Sequence, residues 1–203
     1  MVAQLSQRLS QALLGDCHFW LLDSVSVPVC RLERVDRCRR FAGLAHCSRE
    51  GGQGGFFYGF RLHLRLSPDG VIGQVGLAPA HVSDLAMTEE LLPPGGGLSL
   101  GDRNYWSPRQ RNALALRGWQ LEAPFRRRTQ DPTPARSRAM SAVREWVETT
   151  IGQLTERFRL KRTWARDLWH LSHRIMRKVL SHTIAAWFNI QAGLAPLQLA
   201  WTS

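Results

Sequence analysis

Apolar and polar positions along the chain repeat with two different periods, and the changes between them mark the elements. Leu5, Leu9 and Leu13 are spaced as on a helix, predicting one over residues 2–14. Residues 18–24 form an apolar run ending in an acid, which predicts a buried strand with Asp23 at its C-terminal lip. The stretch up to Gly55 is arginine-rich and then glycine-rich, predicting an irregular excursion. Phe60, Leu62, Leu64 and Leu66 then alternate with Arg61, His63 and Arg65, the period that puts one row of a strand in a core. Ser67-Pro68-Asp69-Gly70 is turn chemistry, residues 71–77 return as a second strand, and Pro79 ends it. Ser83 can cap a helix through residue 92, with Asp84 in its first turn. Residues 98–102 read as a short strand that again ends in an acid, Asp102. Ser107-Pro108 opens a helix that stops near Gly118, and residues 119–123 form one more strand. Residues 126–138 are basic and aperiodic, a linker or a DNA-contacting loop. A helix over 141–158 carries Val143, Val147, Ile151, Leu154 and Phe158 on one stripe, and a longer amphipathic helix covers 165–189. This order predicts an α/β fold, a mixed sheet flanked by helices.

Composition narrows the partners. At 203 residues and 44% hydrophobic, the chain has material for one domain with a sizeable core. Its 27 basic residues outnumber 16 acidic ones, giving a formal net charge of +11. Such a field attracts polyanions, so nucleic acid leads and an anionic membrane surface follows. Only Lys161 and Lys178 are lysines; arginine grips phosphate better, but a GC-rich genome gives the same bias. The four cysteines, Cys17, Cys30, Cys38 and Cys47, include no CxxC pair, which argues against a zinc ribbon and for free thiols in a reducing cytoplasm. The apolar stretch 184–199 is broken by Asn189, Gln191 and Pro196, too short and polar for a membrane span, so a soluble protein is expected.

Three carboxylates stand out by position. If the strands ending in Asp23 and Asp102 are parallel neighbours, both acids emerge at one edge of the sheet. Glu148 lies at the border between the apolar stripe and the solvent face of its helix, where it can lean towards them. Three converging carboxylates repel one another unless cations neutralise them, and two Mg²⁺ ions, with oxygen ligands, do so. The plainer alternatives are that the aspartates form turns or caps and that Glu148 is a surface residue paired with Arg144.

At these residues the chain resembles the DDE transposases of bacterial insertion sequences, most closely insertion-sequence family 982. Leu22-Asp23-Ser24 with Val27-Pro28-Val29-Cys30 looks like the first block of that family. Tyr58-Gly59-Phe60-Arg61-Leu62-His63-Leu64 and Ala78-Pro79-Ala80-His81-Val82-Ser83-Asp84 look like the second. Leu100-Gly101-Asp102-Arg103-Asn104-Tyr105 carries the second acid, and Arg144 with Val147-Glu148-Thr149 the third. Gln153-Leu154-Thr155-Glu156-Arg157-Phe158, Leu168-Trp169 and Arg177-Lys178-Val179-Leu180-Ser181-His182-Thr183 complete the order.

The resemblance implies a ribonuclease-H-like fold and transposition by metal-dependent cleavage and strand transfer of DNA ends. Asp23, Asp102 and Glu148 are then the catalytic, metal-binding triad for two Mg²⁺ ions, with Mn²⁺ able to replace them. Arg61, Tyr105, Arg126, Arg127, Arg128 and Arg144 are expected to contact DNA, Arg144 by meeting a phosphate or else by orienting Glu148. His63 reads either as lining the DNA path or as merely facing solvent. The expected partners are element ends and target DNA, with a homodimer on DNA as one arrangement and no membrane, in a bacterial cytoplasm at the nucleoid. Residues 1–18 are expected to be a remnant of a helical region, 19–190 the catalytic domain and 191–203 a tail. Asn104 stands where glycine is commoner, Arg61 where lysine is usual, and Thr155 where related elements place a lysine, with Lys161 or Arg159 as stand-ins. Family members carry a longer N-terminal region, so the chain reads as a truncated copy. The alternative function is a relic that binds DNA without cutting it.

Overall fold

The computed structural model describes residues 1–50 and 54–199. Among the described residues the α-helices and strands run α1 (Val2–Leu14), β1 (Phe19–Cys30), β2 (His46–Arg49), β3 (Phe56–Leu66), β4 (Ile72–Pro79), α2 (Thr88–Leu91), β5 (Gly97–Leu100), α3 (Pro108–Ala115), β6 (Trp119–Glu122), α4 (Pro134–Glu156) and α5 (Leu168–Gln191). Short 3-10 turns lie at Leu32–Arg37, Asp84–Met87, Arg103–Tyr105 and Arg128–Gln130.

The sheet is mixed, in the order β2-β3-β1-β5-β6. β3 pairs antiparallel with β1 on one side and on the other with β2 and then β4, which share its edge in succession: β2 lies beside Phe56 to Gly59 and β4 beside Phe60 to Leu66. The β3–β4 hairpin closes at the predicted turn. Gly70 takes φ +80°, a conformation that favours glycine, and its N–H donates to the Ser67 carbonyl at 2.9 Å. β1, β5 and β6 are parallel neighbours.

Helices cover both faces. On one, Leu21, Val25, Leu62, Leu64 and Leu66 meet Val147 and Leu154 of α4 and Leu171, Ile175 and Val179 of α5. On the other, Trp20 and Leu22 meet Leu91, Tyr105, Leu114 and Trp119. This second layer changes the fate of the polar row on β3. His63 is fully buried rather than facing solvent or DNA, and the Arg65 guanidinium lies 4.2 Å from the centre of the Trp20 ring.

Several boundaries differ from the sequence expectation. β1 does not end at Asp23 but runs on to Cys30, because Val25 and Val27 continue the buried row of Leu21. The irregular excursion begins only there and contains β2; residues 51–53 of its glycine run lie outside the described residues, as do residues 200–203 of the expected tail. α4 starts at Pro134, a residue suited to the first helical turn, so only 126–133 of the basic stretch is a connection. After Ser83, whose hydroxyl accepts from the Ala86 N–H, the chain makes a 3-10 turn and one turn of α-helix, not a single helix. α5 begins at Leu168, where Asp167 caps it by accepting the His170 N–H.

Candidate active site

The parallel register sets Leu21 beside Leu100. Asp23 and Asp102 each follow two residues later, so the sheet carries both to the same end of the ladder. There the two chains part. Gly101 bends β5 away at a point where a Cβ would lie 2.3 Å from the Tyr105 ring, and Asp102 becomes the N-cap of the turn Arg103–Tyr105. β1 continues alongside β3. The parting opens a notch beside β1, so residues pointing to either face of this strand, such as Asp23 and Ser24, line one cavity of about 410 Å³.

Asp23, its side chain 19% exposed, is set deep in the notch. One carboxylate oxygen accepts the Ser24 N–H at 2.8 Å and the other accepts from Arg144 at 3.2 Å. Burial drives its pKa up to about 6, against the pull of Arg144 and of the Ser24 N–H, and the charge of Asp102 adds to the rise. Asp102 is also raised, chiefly by burial and again against Arg144. Its two oxygens are held by Asn104, through the backbone N–H at 2.8 Å and the side-chain amide at 3.0 Å. The third expected acid, Glu148, follows the buried Val147 on α4; it is exposed and lines the same cavity.

Two further acids share the space. Asp84 has His63 Nδ1 3.3 Å from its carboxylate. Burial would raise Asp84, but the His63 and Ser24 side chains and the Arg61 charge outweigh it and hold it below its usual range. Glu50 pairs with Lys161 and accepts the Ser26 hydroxyl at 2.5 Å, and these contacts lower its pKa, with Lys161 the larger cause. Five carboxylates thus line the cavity against Arg61 and Lys161, with Arg144 reaching in to Asp23. In a chain of net charge +11 this is a local negative site. Its acidic side chains offer carboxylate oxygens, the chemistry that suits Mg²⁺ or Mn²⁺. Among the described residues, though, no three Asp, Glu, His or Cys side chains stand grouped as a formed metal site.

The other expected residues divide. Arg61 lines the cavity and is anchored by the Arg49 carbonyl at 3.0 Å and the Ser24 hydroxyl at 3.4 Å. Arg144 pairs with Asp23, not with Glu148, because it reaches down from α4 towards the buried carboxylate. Tyr105 is a correction: it is 1% exposed and packed among Trp20, Leu22 and Leu114, so it offers no surface to DNA. Arg126, Arg127 and Arg128 are exposed on the connection to α4, outside the cavity. Lys161, not Arg159, lines the cavity with Thr155. Sequence reasoning missed Glu50 and gave Asp84 only a helix-dipole role; a histidine inside the core-period strand was the one sign of a buried partner for Asp84. Among the described residues no helix is long and apolar enough to cross a membrane.

No curated protein and no solved structure matches the chain. A family model described as a transposase DDE domain matches residues 6–168, a span that contains the whole sheet, α4 and the acids Asp23, Asp102 and Glu148. The chain belongs to the DDE transposase domain family.

Proposed function

We propose that this chain cleaves DNA ends and joins them to target DNA in a metal-dependent reaction, with Asp23, Asp102 and Glu148 as its catalytic acids. The observation that carries the reading is the β1–β5 register, which delivers two acids of separate strands to one notch beneath the helix that bears the third. The antiparallel β4-β3-β1 set followed by parallel β5 and β6, with helices on both faces, supports a ribonuclease-H-like fold. Residues 19–190 form the catalytic domain, and the ordered sequence blocks support insertion-sequence family 982 and a place on bacterial chromosomal DNA.

Asp23 and Asp102 would hold divalent ions from the sheet side and Glu148 from α4. A bound pair supplies an activated water or 3′-hydroxyl and stabilises the leaving oxygen of the phosphodiester. The chain's own residues do the rest. Asn104 keeps both Asp102 oxygens aimed, Arg61 is fixed at the rim by Ser24, Ser48 and the Arg49 carbonyl, and Arg144 neutralises Asp23 and is the guanidinium that would meet a phosphate. Nicking of supercoiled plasmid by the purified chain tests the reading. Activity is expected with Mg²⁺ or Mn²⁺, little with Ca²⁺, none with chelator, and a loss of orders of magnitude in Asp23→Asn. Equal nicking by parent and Asp23→Asn would overturn the assignment.

A second reading, DNA binding without cleavage, draws on the exposed Glu148 and the Arg144–Asp23 ion pair, which leave no grouped metal ligands among the described residues. It predicts tight DNA binding and no nicking under any metal.

A further inference from the structure

The connection between α4 and α5 has its own chemistry, outside the carboxylate notch. Arg159 and Trp164 both take left-handed backbone conformations, φ 51° and 48°, which residues other than glycine seldom adopt without support. The support comes from α5: Lys178 donates to the carbonyls of Arg159 and Arg162, and Arg174 to that of Thr163. The effect of this bracing is to turn the Trp164 indole outwards, 78% exposed. Beside it lies a cavity of about 420 Å³ lined by Arg162, Trp164, Arg174, Arg177 and Lys178 with Phe158 at its edge, and no carboxylate lines it. Among the described residues none of these four cations forms an ion pair. The crowding is felt at Lys178, whose pKa is lowered first by burial and then by Arg174 and Arg159.

Geometry links this cavity to the acids. Lys161 lines both the notch and a neighbouring cavity beside Pro28 and Phe57, and Arg162, Thr163 and Trp164 line both that cavity and the basic one. One loop therefore walls three consecutive spaces, running from negative to positive. Uncompensated arginines beside an outward indole suit a ligand with regular phosphates and flat apolar faces. Paired bases hide those faces; unpaired ones stack on an aromatic ring.

Resting on the DNA-cleavage reading above, we propose that the 161–164 loop and the start of α5 form a single-strand track, in which an unpaired base stacks on Trp164 and its flanking phosphates sit on Arg162, Arg174 and Arg177. The strand leaving the carboxylate notch is thereby held open next to the site of cleavage.

Fluorescence anisotropy on the full chain in chelator, at low salt, tests this with three labelled probes: an oligothymidylate, an abasic strand of equal length and a duplex. Trp164→Ala is expected to weaken oligothymidylate binding about 5- to 150-fold, while abasic binding stays within about twofold. Trp164→Phe should retain most of the affinity, which separates stacking from a damaged loop. Arg162→Ala with Arg177→Ala, two side chains that make no hydrogen bond or ion pair among the described residues, should weaken both single strands and flatten the salt slope by about 1.4. The proposal is overturned if Trp164→Ala binds oligothymidylate like the parent, if it weakens the abasic strand equally, or if polyglutamate displaces the oligonucleotide as well as unlabelled strand does. Any of those results alongside metal-dependent nicking abolished by Asp23→Asn would leave the catalytic reading standing. A parent chain that binds none of the three probes would remove both.

Discussion

Asp23→Asn should make the metal-free protein more stable while abolishing its activity. The carboxyl is buried and its pKa stands at about 6 rather than the ordinary 3.8. A folded-state pKa raised in this way contributes stability that is fully present below about pH 3.8 and is lost as pH rises through about 6. At about 1.36 kcal/mol for each tenfold change in proton affinity, the rise from 3.8 to about 6 means that, at pH 8, ionised Asp23 costs the fold about 3 kcal/mol. Asparagine keeps the shape of the protonated acid without the charge, and the pull of Arg144 on the carboxylate is already contained in that figure. The net expectation is a gain of about 3 kcal/mol at pH 8, shrinking towards zero near pH 4. Urea unfolding of parent and variant, in chelator, at steps from pH 4 to 8, reads it directly. Added Mg²⁺ should then stabilise the parent and not the variant. A stability difference that stays constant across this pH range would refute the reasoning, since Asp23 would not be titrating from a buried site.

Four other outcomes follow from the same structure. His182 is buried, with Nε2 3.0 Å from the Gln153 amide oxygen, and burial lowers its pKa to about 4. Its contribution is intact above pH 6.5 and lost as pH falls through 4, so about 3 kcal/mol should disappear across that window and His182→Gln should flatten the acid limb of a Tm–pH profile. Leu154 is fully buried between α4 and the sheet, and Leu154→Ala should cost about 3 kcal/mol in urea unfolding. Asn104→Ala removes the amide that holds one Asp102 oxygen and should raise the Mg²⁺ needed for half-maximal nicking about tenfold or more. Replacing exposed Arg126, Arg127 and Arg128 with alanine should flatten the salt dependence of duplex binding by up to about 2.7, and an unchanged slope would show that these arginines touch no phosphate.

The legible parts of this molecule are those governed by local period. The alternation of Phe60 to Leu66, the Ser67–Gly70 turn and the two acid-tipped apolar runs led to the hairpin and to the strands before Asp23 and Asp102, while their parallel pairing came only as what the family resemblance implied. Buried Val25 and Val27 also alternate with Ser24 and Ser26, but Pro28 and the arginines beyond disguised the continuation of β1. What local pattern could not carry was contact across distance. Arg144 meets Asp23 from 121 residues away, and Lys161 meets Glu50 from 111. Likewise, the period of β3 revealed one buried face, while the burial of His63 and Tyr105 depends on α2 and α3 covering the other. The family resemblance supplied the three acids in order, yet whether Arg144 turns to Glu148 or Asp23 is decided by packing depth alone.

The two kinds of pairing around β1 also impose a timetable. β3 and β4 are joined by the five residues 67–71, and β1 zips antiparallel against β3 across 28 to 45 residues, whereas the parallel ladder that brings β5, with β6 beside it, onto β1 closes only across 79. Hairpin and β1 are expected to form early and β5–β6 late, and amide exchange in the native state should show β5 and β6 opening before β3. Until they dock, the far side of β1 is a bare strand edge in a basic chain still being made, open to pairing with another copy. Asp102 would reach Asp23 only at the end of folding, so the negative site that repels itself is assembled onto a scaffold already stable enough to bear it.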